Sequence, residues 1–324
     1  MTDECITRNF IVLGSNGTGA GNRSSMGDST DAKGCEGKVG GGGGGALAAA
    51  SLPAAAINSK ARMPVERYAS EYNMNHKHRG QAMIFNHEFF EIPTLRARAG
   101  TNVDAEELRK SFKRLGFDVS VYKDCKWQSI RDQIQKIASL DHTDNDCLAI
   151  AILSHGEHGC IYANDVQYKL DQIWHYFTAQ MCPTLAGKPK LFFIQACQGD
   201  RLDGGVMLEK SDTETDGDSS VGYKIPVHAD FLFSYSTIPG YFSWRNINNG
   251  SWYMQSLIKE LNSNAKKYDL LTLLTFVSQH VAISFESNVP ANPMMDQQKQ
   301  IPCFTSMLTR ILRFNDKPNG NKAG

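Results

Sequence analysis

The sequence lacks the features of membrane, secreted and nucleic-acid-binding proteins. It has no run of 18 or more apolar residues, and its start, Met1-Thr-Asp-Glu-Cys5, lacks the basic residues of a signal peptide. Its 34 basic and 34 acidic residues balance, so no excess charge would attract nucleic acid or a membrane. The eight cysteines show no paired spacing, which predicts reduced thiols and a cytoplasmic location. No internal repeat is visible.

The amino-terminal region has almost no aromatic residues and is rich in glycine. Residues 1–60 contain one aromatic residue, Phe10, and an unbroken glycine run, Gly40–Gly45. Such a segment cannot bury enough apolar surface to offset its chain entropy, so we predict that it is disordered. It is too short and too aperiodic for a recruitment domain. A plain tail or linker explains most of it equally well.

From Ala82 onward, strand-like runs alternate with amphipathic helices, which predicts an α/β fold with a mostly parallel sheet. Strands are predicted over 82–85, 119–122, 147–153, 191–194 and 231–235. Helices are predicted over 104–115, around the apolar stripe at 130, 134 and 137, and over 170–178, 252–261 and 270–281. The stripes are core positions, and none requires a cofactor.

Two of these strands end in residues that carry chemistry. The run 191–194 is followed by Gln195-Ala196-Cys197-Gln198-Gly199, and the run 147–153 is followed by Ser154-His155-Gly156. With one helix-sized segment between them, they form a parallel βαβ unit. Ligands bind at the carboxyl ends of such strands, so we expect Cys197 and His155 to share a site.

A thiol beside an imidazole is typical of nucleophilic catalysis. The imidazole raises the thiolate share of Cys197 and can protonate a leaving amine. The N–H groups of Gly156 and Cys197 could hold a developing oxyanion, and the glycine allows close approach of a substrate. Two other interpretations stay open at this point. Cys197 could be an inert buried cysteine, and His155, His158 and Cys160 could be metal ligands, although no fourth ligand stands out.

Gln195-Ala-Cys-Gln-Gly199, with a histidine upstream, resembles the active-site signature of the caspases. The likeness extends from Tyr68 to Phe314 through matching segments in order: Gly187–Lys190, Ala229–Leu232, Tyr235–Thr237, Pro239–Tyr241, Ser243–Asn246, Gly250–Trp252 and Lys299–Cys303. The short amino-terminal region resembles the effector branch, with the insect death caspases as the nearest likeness. The resemblance implies a six-stranded, mostly parallel sheet flanked by helices. It also implies a dimer joined through a carboxyl-terminal strand near 306–314.

The resemblance further implies a cysteine endopeptidase that cleaves proteins after Asp in Asp-Glu-Val-Asp-like sequences during apoptosis. By motif match, Arg98, Gln195 and Arg245 form the pocket for that Asp; Arg96 lies close by and makes the assignment of Arg98 less direct. Phe242 and Trp244 border the second subsite, and Asn246 and Trp252 border the fourth. No cofactor or metal is implied, and the imidazole is held by a backbone carbonyl.

The aperiodic stretch from Gln198 to Gly222 is longer than most loops and rich in acids. A charge run of this kind is ordinarily a solvated surface. In a caspase, however, Thr213-Glu-Thr-Asp216 resembles a substrate, so an upstream initiator caspase is expected to cut the zymogen after Asp216. One catalytic domain over 61–316 would then comprise a large-subunit region (61–216) and a small-subunit region (217–324).

A second cut is predicted after Asp31 in Ser29-Thr-Asp31-Ala32, with Asp28 as a rival position. It would expose Ala32 as a small amino-terminal residue, suited to the BIR modules of inhibitor-of-apoptosis proteins.

Two rival functions are a protease of the same fold with basic specificity and a catalytically dead regulator. The first would need acids where Arg245 lies, and the second would typically have lost Cys197 or His155.

Overall fold

The computed structural model describes residues 28–30, 61, 63–204 and 226–317. Its strands are β1 (Asp28–Thr30), β2 (Gln81–Asn86), β3 (Asp118–Lys123), β4 (Leu148–Leu153), β5 (Gly156–Glu157), β6 (Cys160–Tyr162), β7 (Gln167–Tyr168), β8 (Lys190–Gln195), β9 (Phe231–Tyr235), β10 (Trp244–Asn246), β11 (Gly250–Ser251) and β12 (Cys303–Ser306). Its α-helices are α1 (Thr101–Arg114), α2 (Trp127–Ala138), α3 (Asp171–Trp174), α4 (Trp252–Asn264) and α5 (Leu270–Ser284), and short 3₁₀ turns lie at His175–Phe177 and Pro183–Leu185.

Six strands form the central sheet, in the order β12-β9-β8-β4-β2-β3. All neighbours are parallel except β12, which runs antiparallel to β9. Strands β4 and β8 are adjacent, with Leu153 opposite Gln195, so their carboxyl ends lie side by side. Both strands are fully buried, as expected for parallel strands covered on both faces. This placement confirms the mostly parallel six-stranded sheet and the pairing of the two predicted strands.

Two apolar layers cover the sheet because side chains alternate along each strand. In β2, Ala82 and Ile84 face the layer that contains α1, α4 and α5. Met83 and Phe85 face the layer that contains α2 and α3. The predicted stripe at Ile130, Ile134 and Ile137 is buried in that second layer. Among the described residues, no helix is both long and apolar enough to cross a bilayer.

The crossover from β4 to β8 differs from the single helix predicted over 170–178. A small antiparallel sheet, β5-β6-β7, comes first, and the helical part is one turn of α3 followed by a 3₁₀ turn. Gly159, at φ 77°, allows the tight turn between β5 and β6. The chain therefore folds back over the end of β4 before it crosses the sheet.

The carboxyl-terminal strand predicted near 306–314 is wrong in position. The strand is Cys303–Ser306, at the edge of the sheet. The chain then turns away, because the Thr309 hydroxyl donates to the Asp230 carboxylate at 2.6 Å and the Thr309 N–H donates to the Tyr72 hydroxyl at 2.8 Å. Leu312 and Phe314 enter the core instead of extending the strand.

A separate three-stranded sheet has the order β1-β10-β11 and is antiparallel throughout. Its middle strand, Trp244–Asn246, lies beyond the end of β9 and carries Arg245.

Candidate active site

Cys197 lies two residues beyond the end of β8 and is 1% exposed in the full chain. The Ser243 N–H donates to its Sγ at 3.1 Å. Burial raises the pKa of the Cys197 thiol, against the opposing effects of this hydrogen bond and of the Arg98 charge. Cys197 is therefore a neutral thiol in this buried position.

His155 follows β4 by two residues and reaches the same end of the sheet. Its Nε2 lies 2.7 Å from the Arg96 carbonyl oxygen, and its ring lies 4.9 Å from that of Phe90. Because a carbonyl only accepts, Nε2 must carry the proton, which leaves Nδ1 as the basic nitrogen. Burial, aided by the Arg98 charge, lowers the pKa of His155 to about 3.

The imidazole is thus neutral, so the predicted shift of Cys197 towards thiolate does not describe this state of the site. Both groups are buried, and burial disfavours the charged form of each. The backbone carbonyl expected to hold the imidazole is that of Arg96.

Gly156 lies in β5, directly against the backbone of Cys197. A Cβ at this position would lie 2.9 Å from the Ala196 Cβ and 3.2 Å from the Cys160 carbonyl oxygen, and it would overlap the Cys197 carbonyl oxygen. The glycine therefore lets the loops after β4 and β8 touch. Close approach of a substrate was the reason expected for a glycine at position 156. Packing between the two loops is a second reason.

Arg98 and Arg245, the two arginines predicted to form the pocket, are linked through the loop before α1. Arg98 is fully buried, and its Nη1 donates at 2.9 Å to the His87 carbonyl and to the Thr101 hydroxyl. Arg245 is 2% exposed, and its Nε donates at 2.9 Å to the Ala99 carbonyl, next to Arg98. Burial lowers the pKa of Arg98 to about 10 and that of Arg245 to about 9, so both stay cationic at neutral pH. Arg96, in contrast to Arg98, is exposed, so Arg98 is the one of the two that is buried as Arg245 is.

Gly100 makes the approach of this loop to β10 possible. At φ 92° it lies so close that a Cβ would sit 2.7 Å from the Asn246 carbonyl oxygen and 2.8 Å from that of Ile247. Gln195, at the end of β8, joins the same region because its Nε2 donates to the Ser243 hydroxyl at 2.7 Å.

The remaining predicted subsite residues lie on β10, on the segment before it and at the start of α4. The Trp244 and Trp252 rings stack at 5.6 Å and 17°, and Trp252 also stacks on Phe285 at 5.4 Å. Phe242 is buried before β10. The Asn246 side-chain oxygen accepts from the N–H groups of Asn248 and Asn249, so it shapes the turn after β10.

Asp104 was not predicted from the sequence as a site residue, yet it links helix α1 to strand β11. Its carboxylate accepts from the Ser251 N–H at 2.9 Å and from the Ser251 hydroxyl at 2.6 Å, which joins α1 to β11. Burial raises the pKa of Asp104 to about 7, partly offset by the Ser251 hydrogen bonds and the Arg98 charge.

Ser243 was also missed as an individual residue, although it lies in a matched segment. Its backbone contacts the thiol and its hydroxyl contacts Gln195. Phe90 and Phe285 gave no signal, since an isolated phenylalanine in a sequence is ordinarily a core residue.

Asp216 lies outside the described residues, as does Asp31. Over the part of the chain that is described, no three His, Cys, Asp or Glu side chains are grouped so as to hold a metal ion.

The arrangement combines the Cys197 thiol, a neutral imidazole with Nδ1 basic, and the two buried guanidinium groups of Arg98 and Arg245. A bidentate carboxylate is the ligand that a guanidinium fork fits best. The site is therefore suited to acyl transfer at a carbonyl that is preceded by a carboxylate side chain.

Comparison with known proteins agrees with this chemistry. A family model described as the caspase domain matches residues 79–313. Caspase-1 of Drosophila melanogaster is 74% identical over 329 residues that cover 100% of both chains. Caspase drICE of the same organism is 64% identical over 82% of this chain and 79% of that protein. The crystal structure of Caspase-1 from Spodoptera frugiperda matches with a TM-score of 0.76 at 58% identity, over 81% of this chain and 100% of that one.

Proposed function

Because this chain belongs to the caspase family, we propose that Cys197 and His155 are its catalytic pair and that Arg98, Gln195 and Arg245 select the substrate. As an effector-type member it is a cysteine endopeptidase that cleaves proteins after aspartate in apoptosis, and it is made as a zymogen. The adjacency of β4 and β8, which brings the thiol and the imidazole to one sheet edge, is the observation that carries the residue assignment.

In the proposed reaction, His155 accepts the Cys197 proton and the sulfur attacks the carbonyl carbon of the scissile peptide bond. The N–H groups of Gly156 and Cys197 stabilise the oxyanion. His155 then returns the proton to the leaving amine, which leaves a thioester on Cys197. Water hydrolyses this thioester, which releases the carboxylate product and regenerates the thiol.

Selection of aspartate rests on the two buried guanidinium groups. Arg98 and Arg245 lie on neighbouring segments, linked by the hydrogen bond from Arg245 to Ala99, and each keeps its charge at neutral pH. A carboxylate that enters between them exchanges hydration for charge-assisted hydrogen bonds, which are about twice as strong as neutral ones. Gln195 adds an amide to the same pocket. A neutral amide offers these donors one acceptor oxygen and no negative charge, and a cationic side chain is repelled by both arginines.

The aromatic residues support a preference for Asp-Glu-Val-Asp-like sequences. Phe242 and Trp244 border a pocket for a small apolar residue two positions before the cut. Trp252, stacked on Trp244, and Asn246 border the position that takes the outer Asp.

We propose that the zymogen is activated by a cut after Asp216, made by an initiator caspase. Asp216 lies in the segment between Gly204 and Pro226. The Asp216→Ala zymogen, incubated with an initiator caspase, should stay uncut between these two points, with Asp218→Ala as the matched control. Efficient cutting of Asp216→Ala in this segment contradicts the assignment.

The active form is proposed to be a dimer of large and small subunits, with 61–216 and 217–324 as their regions and 1–60 as a prodomain. Strand β12 supports this arrangement, because among the described residues it is the last strand at its end of the sheet, and Phe304 is exposed there. The substrates are proteins. A cytoplasmic location, and capture of an Ala32 amino terminus by BIR modules of inhibitor-of-apoptosis proteins, complete the proposal.

A catalytically dead regulator is the second candidate, and labelling separates the two. The cleaved protein should form a covalent adduct with an Asp-directed fluoromethyl ketone. Cys197→Ala should remove the adduct, and Cys160→Ser, which alters a half-buried cysteine near the site, should keep it. Absence of an adduct on correctly cut, dimeric protein would favour the regulator.

A further inference from the structure

The matched segment Lys299–Cys303 contains a buried glutamine that contacts two parts of the site. Gln300 is 2% exposed. Its side-chain Oε1 accepts from the Trp244 N–H at 2.7 Å, and its Nε2 donates to the Ser236 carbonyl at 2.7 Å. Trp244 begins β10, and Ser236 directly follows β9. One side-chain amide therefore joins the strand that carries Arg245 to the central sheet.

The two partners fix the orientation of this amide. A backbone N–H only donates and a carbonyl only accepts, so the amide oxygen faces Trp244 and the amide nitrogen faces Ser236. Both partners are buried, with Trp244 at 1% and Ser236 at 0% exposed. An apolar side chain at position 300 would deprive both groups of this partner inside the protein, which costs more than an exposed bond would.

Ser236 extends the contact to the residue before Cys197. Its N–H donates to the Ile194 carbonyl in β8 at 2.9 Å. Its hydroxyl oxygen accepts from the Ala196 N–H at 3.3 Å, and the hydroxyl donates to the Ala196 carbonyl at 3.0 Å. Because Ala196 is covalently bonded to Cys197, a displacement of Ser236 would also displace the thiol.

A second route to the thiol starts at the other partner of the amide. Trp244 follows Ser243, whose N–H donates to the Cys197 Sγ at 3.1 Å. Trp244 also precedes Arg245, which is proposed to bind the Asp of the substrate. The single bond from Trp244 to Gln300 therefore holds both the backbone that contacts the thiol and the backbone that carries the pocket arginine.

We propose that Gln300 is a positioning residue for the cleavage reaction, because it sets the placement of β10 relative to the loop that carries Cys197. This inference rests on the proposed function. Gln300 acts through Trp244 and Ser236, and it keeps the Asp pocket aligned with the nucleophile. Such alignment matters because a misplacement of about 1 Å can cost about a hundredfold in rate.

The first test replaces Gln300 by methionine, which has a similar length but makes neither hydrogen bond. In linker-cleaved protein, with active sites counted by an Asp-directed fluoromethyl ketone, kcat/KM for an Asp-Glu-Val-Asp peptide should fall by about a hundredfold. The preference for Asp over Glu at the cut should fall about tenfold, because Arg245 is no longer held in place. A loss of folded protein would not change that preference. Gln298→Met is the matched control, since the Gln298 amide donates to the Asp296 carbonyl in the same segment, and it should behave as the parent does.

The second test uses Gln300→Glu, which can restore both bonds only when it is protonated. A protonated carboxyl accepts from the Trp244 N–H and donates to the Ser236 carbonyl, whereas a carboxylate has no proton to donate. Burial favours the protonated form. The ratio of kcat/KM in Gln300→Glu to that in the parent should therefore rise between about pH 8 and about pH 6, by up to about tenfold per unit, while the ratio for Gln300→Met stays constant. The charged residues that line the small cavity beside Gln300 are present in both proteins and cancel in the ratio: Arg201, Asp203 and Lys299.

Three results would overturn the positioning role. They are parent-like kcat/KM in Gln300→Met, an equal loss on the Asp and Glu peptides, and a ratio for Gln300→Glu that does not change with pH. If Gln300→Met does not fold, the pH dependence of Gln300→Glu decides alone. If the parent hydrolyses no Asp peptide, the proposed function itself has failed; if it does and both variants match it, only the role of Gln300 is wrong.

Discussion

Replacement of Gly156 by alanine tests how closely the loops after β4 and β8 are packed against each other. The new Cβ would lie 2.9 Å from the Ala196 Cβ, whereas ordinary contacts begin near 3.4 Å, and its overlap with the Cys197 carbonyl is more severe. Relief needs a displacement of about 1 Å between the loops after β4 and β8, which is enough to cost roughly a hundredfold in rate. The added crowding should also lower the free energy of unfolding by about 1–3 kcal/mol.

The assay is kcat/KM for a fluorogenic Asp-Glu-Val-Asp peptide, with thermal unfolding measured on the same preparations. Gly204→Ala is the matched control, because a Cβ there meets nothing within 4 Å, and it should keep both wild-type activity and stability. If Gly156→Ala retains wild-type kcat/KM, the loops are not in the contact described, and the argument that Gly156 is needed for the loops after β4 and β8 to touch is wrong.

Three further predictions concern the pocket and its supports. Arg245→Lys keeps the charge but loses the planar fork and the bond to Ala99, so kcat/KM on Asp peptides should fall by about 2 kcal/mol, roughly 30-fold; an unchanged value contradicts the pocket assignment. Trp252→Phe weakens the stacked aromatic wall and should reduce the preference for Asp over Ala at the fourth position about fivefold, without altering selection at the cut; a change at the cut alone would refute the subsite. Asp104 binds protons more tightly in the folded chain, with a pKa raised to about 7, so the folded state holds more protons than the unfolded state between about pH 4 and 7. Its stabilising contribution is therefore full at low pH and lost as the pH rises through that window, by up to about 4 kcal/mol. Urea unfolding at pH 4.5 and 7.5 should show a smaller loss in Asp104→Asn than in the parent, and equal losses would contradict the burial of this carboxyl beside Ser251.

The central sheet could be predicted because its strands are marked by continuous apolar runs. The segments around Ile84, Ile150 and Phe192 are buried on both faces, so apolar residues fill every position and the strand is plain in the sequence. Neighbouring parallel strands also have their carboxyl ends at the same edge of the sheet. For that reason the placement of His155 and Cys197 at the same edge of the sheet could be predicted from the order of the two strands.

The edge elements could not be predicted in the same way. Residues 307–314 contain several apolar side chains, but a side-chain network at Asp230 decides where the chain goes, through Tyr72 and Thr309. These three residues are far apart in sequence, and no local pattern connects them. The crossover before β8 was likewise mistaken for one helix, because β5, β6 and β7 are too short to show a period.

The supports of the site were hidden for a different reason. The imidazole is held by the backbone carbonyl of Arg96, and the thiol by the backbone N–H of Ser243. Any residue type has these groups, so the sequence carries no sign of them. Asp104 was missed although its side chain makes the contact. An acid in the first turn of a helix is ordinary, and only the fold shows that this one is buried against Ser251.

The most direct test of the central claim is hydrolysis of three matched fluorogenic peptides by the cleaved protein and its Cys197→Ala variant. The peptides end in Asp, Asn and Arg at the cut and are otherwise Asp-Glu-Val. The roles proposed for Cys197, Arg98 and Arg245 predict strong cleavage of the Asp peptide alone, abolished by Cys197→Ala. Equal cleavage of the Asn peptide, cleavage of the Arg peptide, or undiminished activity in Cys197→Ala would contradict the account.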